Sequence, residues 1–244
     1  MKTGSEGAVV GTKREDAVYE AVRLMYQGYR VSLSYLGGEA SGVRECAAVK
    51  NELRRLIDML GSAGRSSTIL LALSRIGLDI DEELACRHLE ELIGEAAVYG
   101  ISVMIHAEES SRTDRVLAVY KAVAERRRDV GITIRAGLRR SENDLADIWP
   151  FSGRIRIVKD EHRTFADDAG DIAEAYLRLA DHAIASGRPV SMAVHDEAIL
   201  REAGRLGLLA AANAEVELMR GVRTDLLQAA KSCGGRPRIY LSYG

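Results

Sequence analysis

The residues of this chain with chemistry to offer stand just after short apolar runs. They are His106 with Glu108, Arg135, Arg156 with Lys159, His195 with Asp196, Glu217, and Tyr240, separated along the chain by roughly twenty to forty residues. Guanidinium and ammonium groups at neighbouring strand ends suit a phosphate or carboxylate, because charge-assisted hydrogen bonds are the strong ones. Imidazoles and carboxylates can orient a ligand or move a proton. His106 and Glu108 are two residues apart, so on a strand they share a face. With His195 they would make a two-histidine, one-carboxylate metal site. Plainer readings stand beside these. Arg135 and Glu217 can pair with each other across the site, and His195 can bond to backbone. Lys159 before Asp160 is unremarkable on its own, and Tyr35, Tyr243 and Trp149 read as packing.

Positioning these groups is a repeated alternation of elements. Apolar runs of about seven residues alternate with amphipathic stretches, the pattern of βαβ units and a parallel sheet. The strand-like runs cover 30–37, 67–74, 101–108, 130–138, 154–160, 189–196, 214–221 and 237–244. Gly100, Gly187 and Gly235 each precede a strand, where a left-handed helix cap is expected. Eight strands with seven helices between them predict a (β/α)8 barrel, whose strand ends carry the chemistry. An open doubly wound sheet is the alternative, but no G-x-G-x-x-G follows the first strand. An extra helix over about 13–28 ("KREDAVYEAVRLMYQG") precedes that strand, with Val18, Ala21, Val22 and Met25 on one face. It is expected to cover strands eight and one, because no helix follows strand eight in this sequence. The chain reads as one domain over 1–244, with 1–12 flexible.

Composition excludes several classes. The 244 residues carry a formal net charge of −2 and are 47% hydrophobic and 29% charged. That balance gives no long-range field for nucleic acid or an anionic membrane. No apolar run approaches the roughly 18 residues of a membrane span. Cys46, Cys86 and Cys233 lie far apart, so they read as reduced thiols. With no apolar leader at the N-terminus, the expected location is the cytoplasm.

The strand ends, taken in order, resemble the proline dehydrogenase family. "VSLSYLGGE" is similar to its opening strand, "LSRIGL" to its second βα turn, and "IHAEESSRTD" to its acidic third strand end. "VGITIRAGLRRSENDL" is similar to the fourth strand and its loop, and "RIRIVKDEH" to the R-L-V-K-G-A-Y strand. "AVHDEAIL", "AEVELMRGVRTDLL" and "RIYLSYG" resemble the last three segments. The resemblance implies a distorted (β/α)8 barrel that binds FAD and takes a hydride from proline. By position it implies flavin contacts for Arg156, Lys159 and His195, and a place beside the substrate for Tyr240. Because the family uses flavin, no metal is expected.

Departures from the pattern shape the expected function. The lysine that receives the substrate carboxylate is Ala72 here, and its aspartate partner is His106. Arg135 and Glu217 replace two glutamines, one of them flavin-facing, and by that position are further cofactor-binding candidates. The resemblance also implies a roofing helix with an arginine pair after strand eight, which this sequence does not include. The expectation is a flavin-dependent oxidoreductase acting on an amine or imino acid other than free proline, with Tyr240, His106 and Arg135 as the catalytic candidates. The alternative is a flavin-free barrel with other chemistry or a non-catalytic binding role. A second copy of the chain or a separate protein is expected to cover the barrel mouth. Tyr240 and Arg220 would line its edge beside the 160–168 loop.

Overall fold

A computed structural model describes residues 9–38, 40–64, 67–159, 169–221 and 224–244. The 160–168 loop and most of the segment expected to be flexible lie outside them. Eight parallel strands close on themselves in sequence order. They are β1 (Arg30–Tyr35), β2 (Thr68–Leu71), β3 (Ser102–Ile105), β4 (Val130–Arg135), β5 (Ile155–Val158), β6 (Val190–Ala193), β7 (Ala214–Met219) and β8 (Pro237–Tyr243). The seam between β1 and β8 is in register from Arg30↔Arg238 to Tyr35↔Tyr243. The second strand is shorter than expected, because Leu73–Ile76 tightens into a 3-10 turn.

Eight α-helices are present among the described residues. The leading helix α1 (Arg14–Tyr26) precedes β1, and the others follow β1 to β7 in turn: α2 (Val43–Ser62), α3 (Glu82–Val98), α4 (Thr113–Ala124), α5 (Ser141–Asp147), α6 (Ala169–Ala185), α7 (Glu197–Arg205) and α8 (Thr224–Ser232). As expected, α1 packs on β1 and β8. Its buried stripe runs through Ala17, Val18, Ala21, Leu24 and Met25, with Val22 at the margin. Asp81 caps α3 by accepting the amides of Glu83 and Leu84 at 3.3 and 3.0 Å, which satisfies donors a helix start leaves open.

The left-handed caps before β3 and β6 are at Gly100 and Gly187, as expected, but before β8 the left-handed residue is Gly234. Gly235 is needed for a different reason: a β-carbon there would lie 2.7 Å from the carbonyl oxygen of Ala230. Trp149 is 48% exposed and is not a packing residue. Tyr35 and Tyr243 do pack together, with ring centroids 5.1 Å apart.

The strands are buried on both faces, and the two faces differ. Outward residues such as Val31, Ile69, Ile105, Ile157, Val216 and Leu241 form the apolar core beneath the helices. The inward set is mainly polar, with Leu70 and Met104 packed against Tyr240, and several of its contacts span the barrel between strands that are not neighbours. Glu215, 2% exposed, accepts Arg238 Nε at 2.6 Å, Arg154 Nη2 at 3.3 Å and also Arg30. Arg238 reaches on to the carbonyl of Val31 and the hydroxyl of Thr68, each at 2.9 Å. One layer higher, Glu217 accepts Arg156 at 2.6 Å and Ser32 Oγ at 2.9 Å. A buried charge without partners costs several kcal/mol, so each carboxylate depends on its arginines and they on it.

Replacing Glu215 with alanine leaves three guanidiniums without their carboxylate. The expected loss is about 3–5 kcal/mol of folding stability, read as a lower urea midpoint at an unchanged m-value.

Candidate functional site

The site lies at the C-terminal ends of the strands, above the Arg156–Glu217 layer. Tyr240 on β8 is 9% exposed and covers that layer, with the Arg156 guanidinium carbon 5.7 Å from its ring centroid. Its hydroxyl is 3.5 Å from Nε2 of His106, which follows β3, and the two rings meet edge to face. Burial, offset in part by Arg156, holds the Tyr240 phenol above its ordinary value, so it remains protonated. Tyr240 is therefore a lid on the barrel interior and not a residue on the outer edge of the mouth.

Burial pushes the His106 imidazole down to about 3, and the charges of Arg156 and Arg75 push it the same way. His106 is accordingly neutral at physiological pH and offers a hydrogen bond without a charge. Arg75 is a further candidate residue that strand-end reasoning missed. It sits in the 3-10 turn after β2, beyond the strand, and its Nη1 donates to the Gly37 carbonyl at 2.9 Å. No carboxylate of the described residues pairs with it, yet its charge is felt by both His106 and Tyr240. A signal was present in the sequence: a cation three residues after Ala72, where the resembling family has its lysine.

The other expected residues divide by face. Arg156 points into the barrel and Glu217 is its partner; Glu217 stays ionised, its carboxyl held low by Arg156 and Arg238 against the penalty of burial. Of the two readings for Arg135 and Glu217, a pairing with each other is not found among the described residues. Arg135 ends β4 and donates through Nη1 to the Glu108 carbonyl at 2.5 Å, because Arg156 lies nearer to Glu217. Lys159 is three residues beyond Arg156 and so faces sideways, where it pairs with Asp196 at 2.7 Å. Asp196 also caps α7 through the amides of Ala198 and Ile199. His195 stands beside it at the end of β6. Arg220 is turned away to the barrel flank, donating to Glu20 of α1 at 2.8 Å.

A flavin is the group the sequence implies, and the donor set suits one. Arg135 and Val158 are register partners at the ends of β4 and β5. Arg135, Arg156 and Lys159 therefore come from adjacent strand ends, with the half-exposed Lys159–Asp196 pair open to exchange with an anion. The described residues contain no cluster of three or more histidine, cysteine, aspartate or glutamate side chains placed to hold a metal ion. His106, Glu108 and His195 are thus not brought together as ligands. No helix among the described residues is long and apolar enough to cross a membrane.

The His106 shift sets a pH dependence. Between the unfolded value of 6.5 and about 3, the unfolded chain binds a proton at this position and the folded chain does not. Stability therefore falls as pH falls through that window, by up to about 1.4 kcal/mol per pH unit. Replacing His106 with asparagine should flatten the wild-type decline between pH 6.5 and 5, measured by urea unfolding at each pH. An equal slope in both proteins would show that His106 titrates normally.

Comparisons with known proteins agree with this fold. The sequence model of the family described as proline dehydrogenase matches residues 17–154. Proline dehydrogenase 1 of Bacillus subtilis (strain 168) is 27% identical over 251 residues, covering 100% of this chain and 83% of the relative. A proline dehydrogenase of Deinococcus radiodurans is also 27% identical, covering 98% and 81%. Among solved structures, proline utilization A from Bdellovibrio bacteriovorus superposes with a TM-score of 0.86 at 14% identity, and a Bradyrhizobium japonicum proline utilization A mutant with 0.81 at 16%. These cover 98% of this chain, which spans only 31% and 29% of theirs, and at such identities they show the fold. The family match and the full-length relatives carry the classification: this chain belongs to the proline dehydrogenase family.

Proposed function

We propose that this protein is a flavin-dependent oxidoreductase that removes a hydride from the carbon beside nitrogen in an amine or imino acid. FAD would be held at the ends of β4, β5 and β6 by Arg135, Lys159 and His195, with Arg156, buried beneath Tyr240, acting through its charge. Bound there, it supplies the hydride-accepting ring. The observation that carries the reading is the cluster of Tyr240, neutral His106 and Arg75 above the buried Arg156–Glu217 pair, at the strand ends where barrel enzymes work.

Each side chain has a role that follows from its state. Tyr240 presents an apolar ring and a protonated hydroxyl to a substrate. His106, uncharged, accepts or donates one hydrogen bond without attracting a counter-ion. Arg75 keeps N–H groups available beyond its bond to Gly37, enough for a planar acid group. Directly beneath, Arg156 and Glu217 pair one to one, so among the described residues the unbalanced cation nearest a ligand is Arg75, which suits an anionic group at the mouth.

The substrate favoured by these residues is an acid-bearing amine other than free proline. Ala72 supplies no cation at β2, and Arg75 approaches from the following turn, so the acid group would sit elsewhere than a β2 lysine would place it. Relatives named proline dehydrogenase make proline the first compound to assay. The free thiols Cys46, Cys86 and Cys233 support a cytoplasmic setting, and a second copy of the chain or another protein would shield the mouth. One observation favours a flavin-free binding barrel as the second reading: Arg156 is already neutralised by Glu217.

Purified protein should carry flavin absorption and reduce a dye with a larger imino acid such as pipecolate faster than with proline. Colourless protein that neither binds FAD nor reduces dye would support the flavin-free reading. Lys159→Ala should weaken FAD binding about tenfold, the effect of one charge-assisted hydrogen bond, followed by quenching of flavin fluorescence. Arg75→Gln should raise KM for acid-bearing substrates about tenfold and leave the corresponding amine without an acid group unaffected. Equal losses for both substrates would assign Arg75 a structural role.

A further inference from the structure

A groove of ≈ 400 Å³ runs along the barrel flank between α1 and α8, over β7 and β8. Its walls are apolar through Leu24, Leu218, Leu227 and Ile239, and Arg23, Arg220 and Glu20 stand among them. Glu20 is 7% exposed. Arg23 grips it through Nε and Nη2 at 2.7 and 2.8 Å, and Arg220 through Nε at 2.8 Å. The Arg23 guanidinium, followed by that of Arg220, holds the Glu20 carboxyl down at about 2, so this anion is permanent.

One carboxylate thus holds two guanidiniums side by side. Among the described residues the lining carries two positive charges against one negative, and the two like charges repel. Among the described residues, Nη1 of Arg23 and both Nη groups of Arg220 make no hydrogen bond, and the two side chains are 46% and 38% exposed. These donors border an apolar trough of small-molecule size. A second anion would complete an alternating set of charges, and an attached apolar chain would cover Leu218, Leu227 and Ile239.

We infer that this groove is a binding site for an amphipathic carboxylate, with its acid group on Arg23 and Arg220 and its hydrocarbon chain between α1 and α8. The inference is independent of the oxidoreductase reading, since the groove lies on the flank and shares no lining residue with the Tyr240 cluster.

Calorimetric titration of the full chain with octanoate tests it, with 1-octanol and propionate as controls. Octanoate is expected to bind at least tenfold more tightly than either control. Arg220→Gln should weaken it at least tenfold. Leu227→Trp, which fills the trough without touching the ion cluster, should do the same, and it decides the matter if Arg220→Gln does not fold. Arg75→Gln should bind octanoate as the wild type does. Octanol binding as tightly as octanoate would overturn the inference. So would unchanged octanoate affinity in Leu227→Trp, or loss of binding in Arg75→Gln alone, which would move the ligand to the barrel mouth.

Discussion

Two ionised glutamates buried two residues apart on β7 are the constraint on which this barrel depends. Glu215 and Glu217 face inward because strand side chains alternate, and neither can stand unpaired at 2% exposure. Arginines from β1, β5 and β8 must therefore arrive at two fixed heights. A one-residue slip of β7 would turn both carboxylates out into the apolar layer beneath the helices. The pairing thus specifies register as well as charge, and through Arg30, Arg154 and Arg156 it does so across the barrel, where backbone ladders cannot reach.

The same network sets the electrical character of the strand ends. Arg156 neutralises Glu217 below, but its charge also reaches His106 above, where it adds to burial in keeping that ring neutral. Tyr240 lies between these two levels. Its burial separates the salt-bridged interior from the face open to ligands. What faces a substrate is therefore a phenol, an uncharged imidazole and the guanidinium of Arg75, whereas the fixed charges lie beneath. Lys159 belongs to a different structural unit, because Asp196 ties it to the start of α7.

The alternation of apolar runs with amphipathic segments made the architecture legible in the sequence, as did the apolar face of α1. Individual partners were less legible. That Lys159 does not share the inward direction of Arg156 follows from their odd spacing, but its partner Asp196 depends on where β6 ends. Arg135 and Glu217 both face inward by parity, yet only the radial geometry of the closed barrel decides that Arg156 is the nearer cation. Arg75 was missed because it is carried by a turn and not by a strand, so no strand-end search reaches it. Gly234 and Gly235 exchanged roles for a similarly local reason: one supplies the left-handed conformation, and the other the space beside the Ala230 carbonyl.

A barrel whose interior is salt-bridged and whose apolar surface lies outside the strands has a particular thermal signature. Exposure of apolar surface raises the heat capacity on unfolding, and exposure of polar surface lowers it. Here the layer between strands and helices contributes the positive part, while the arginine–glutamate interior contributes the opposite sign. The stability curve of this fold is accordingly flatter with temperature than that of a barrel of the same size filled with valine, isoleucine and leucine. Hydration of charged groups also becomes less favourable on heating, so the desolvation cost of the interior pairs shrinks as temperature rises.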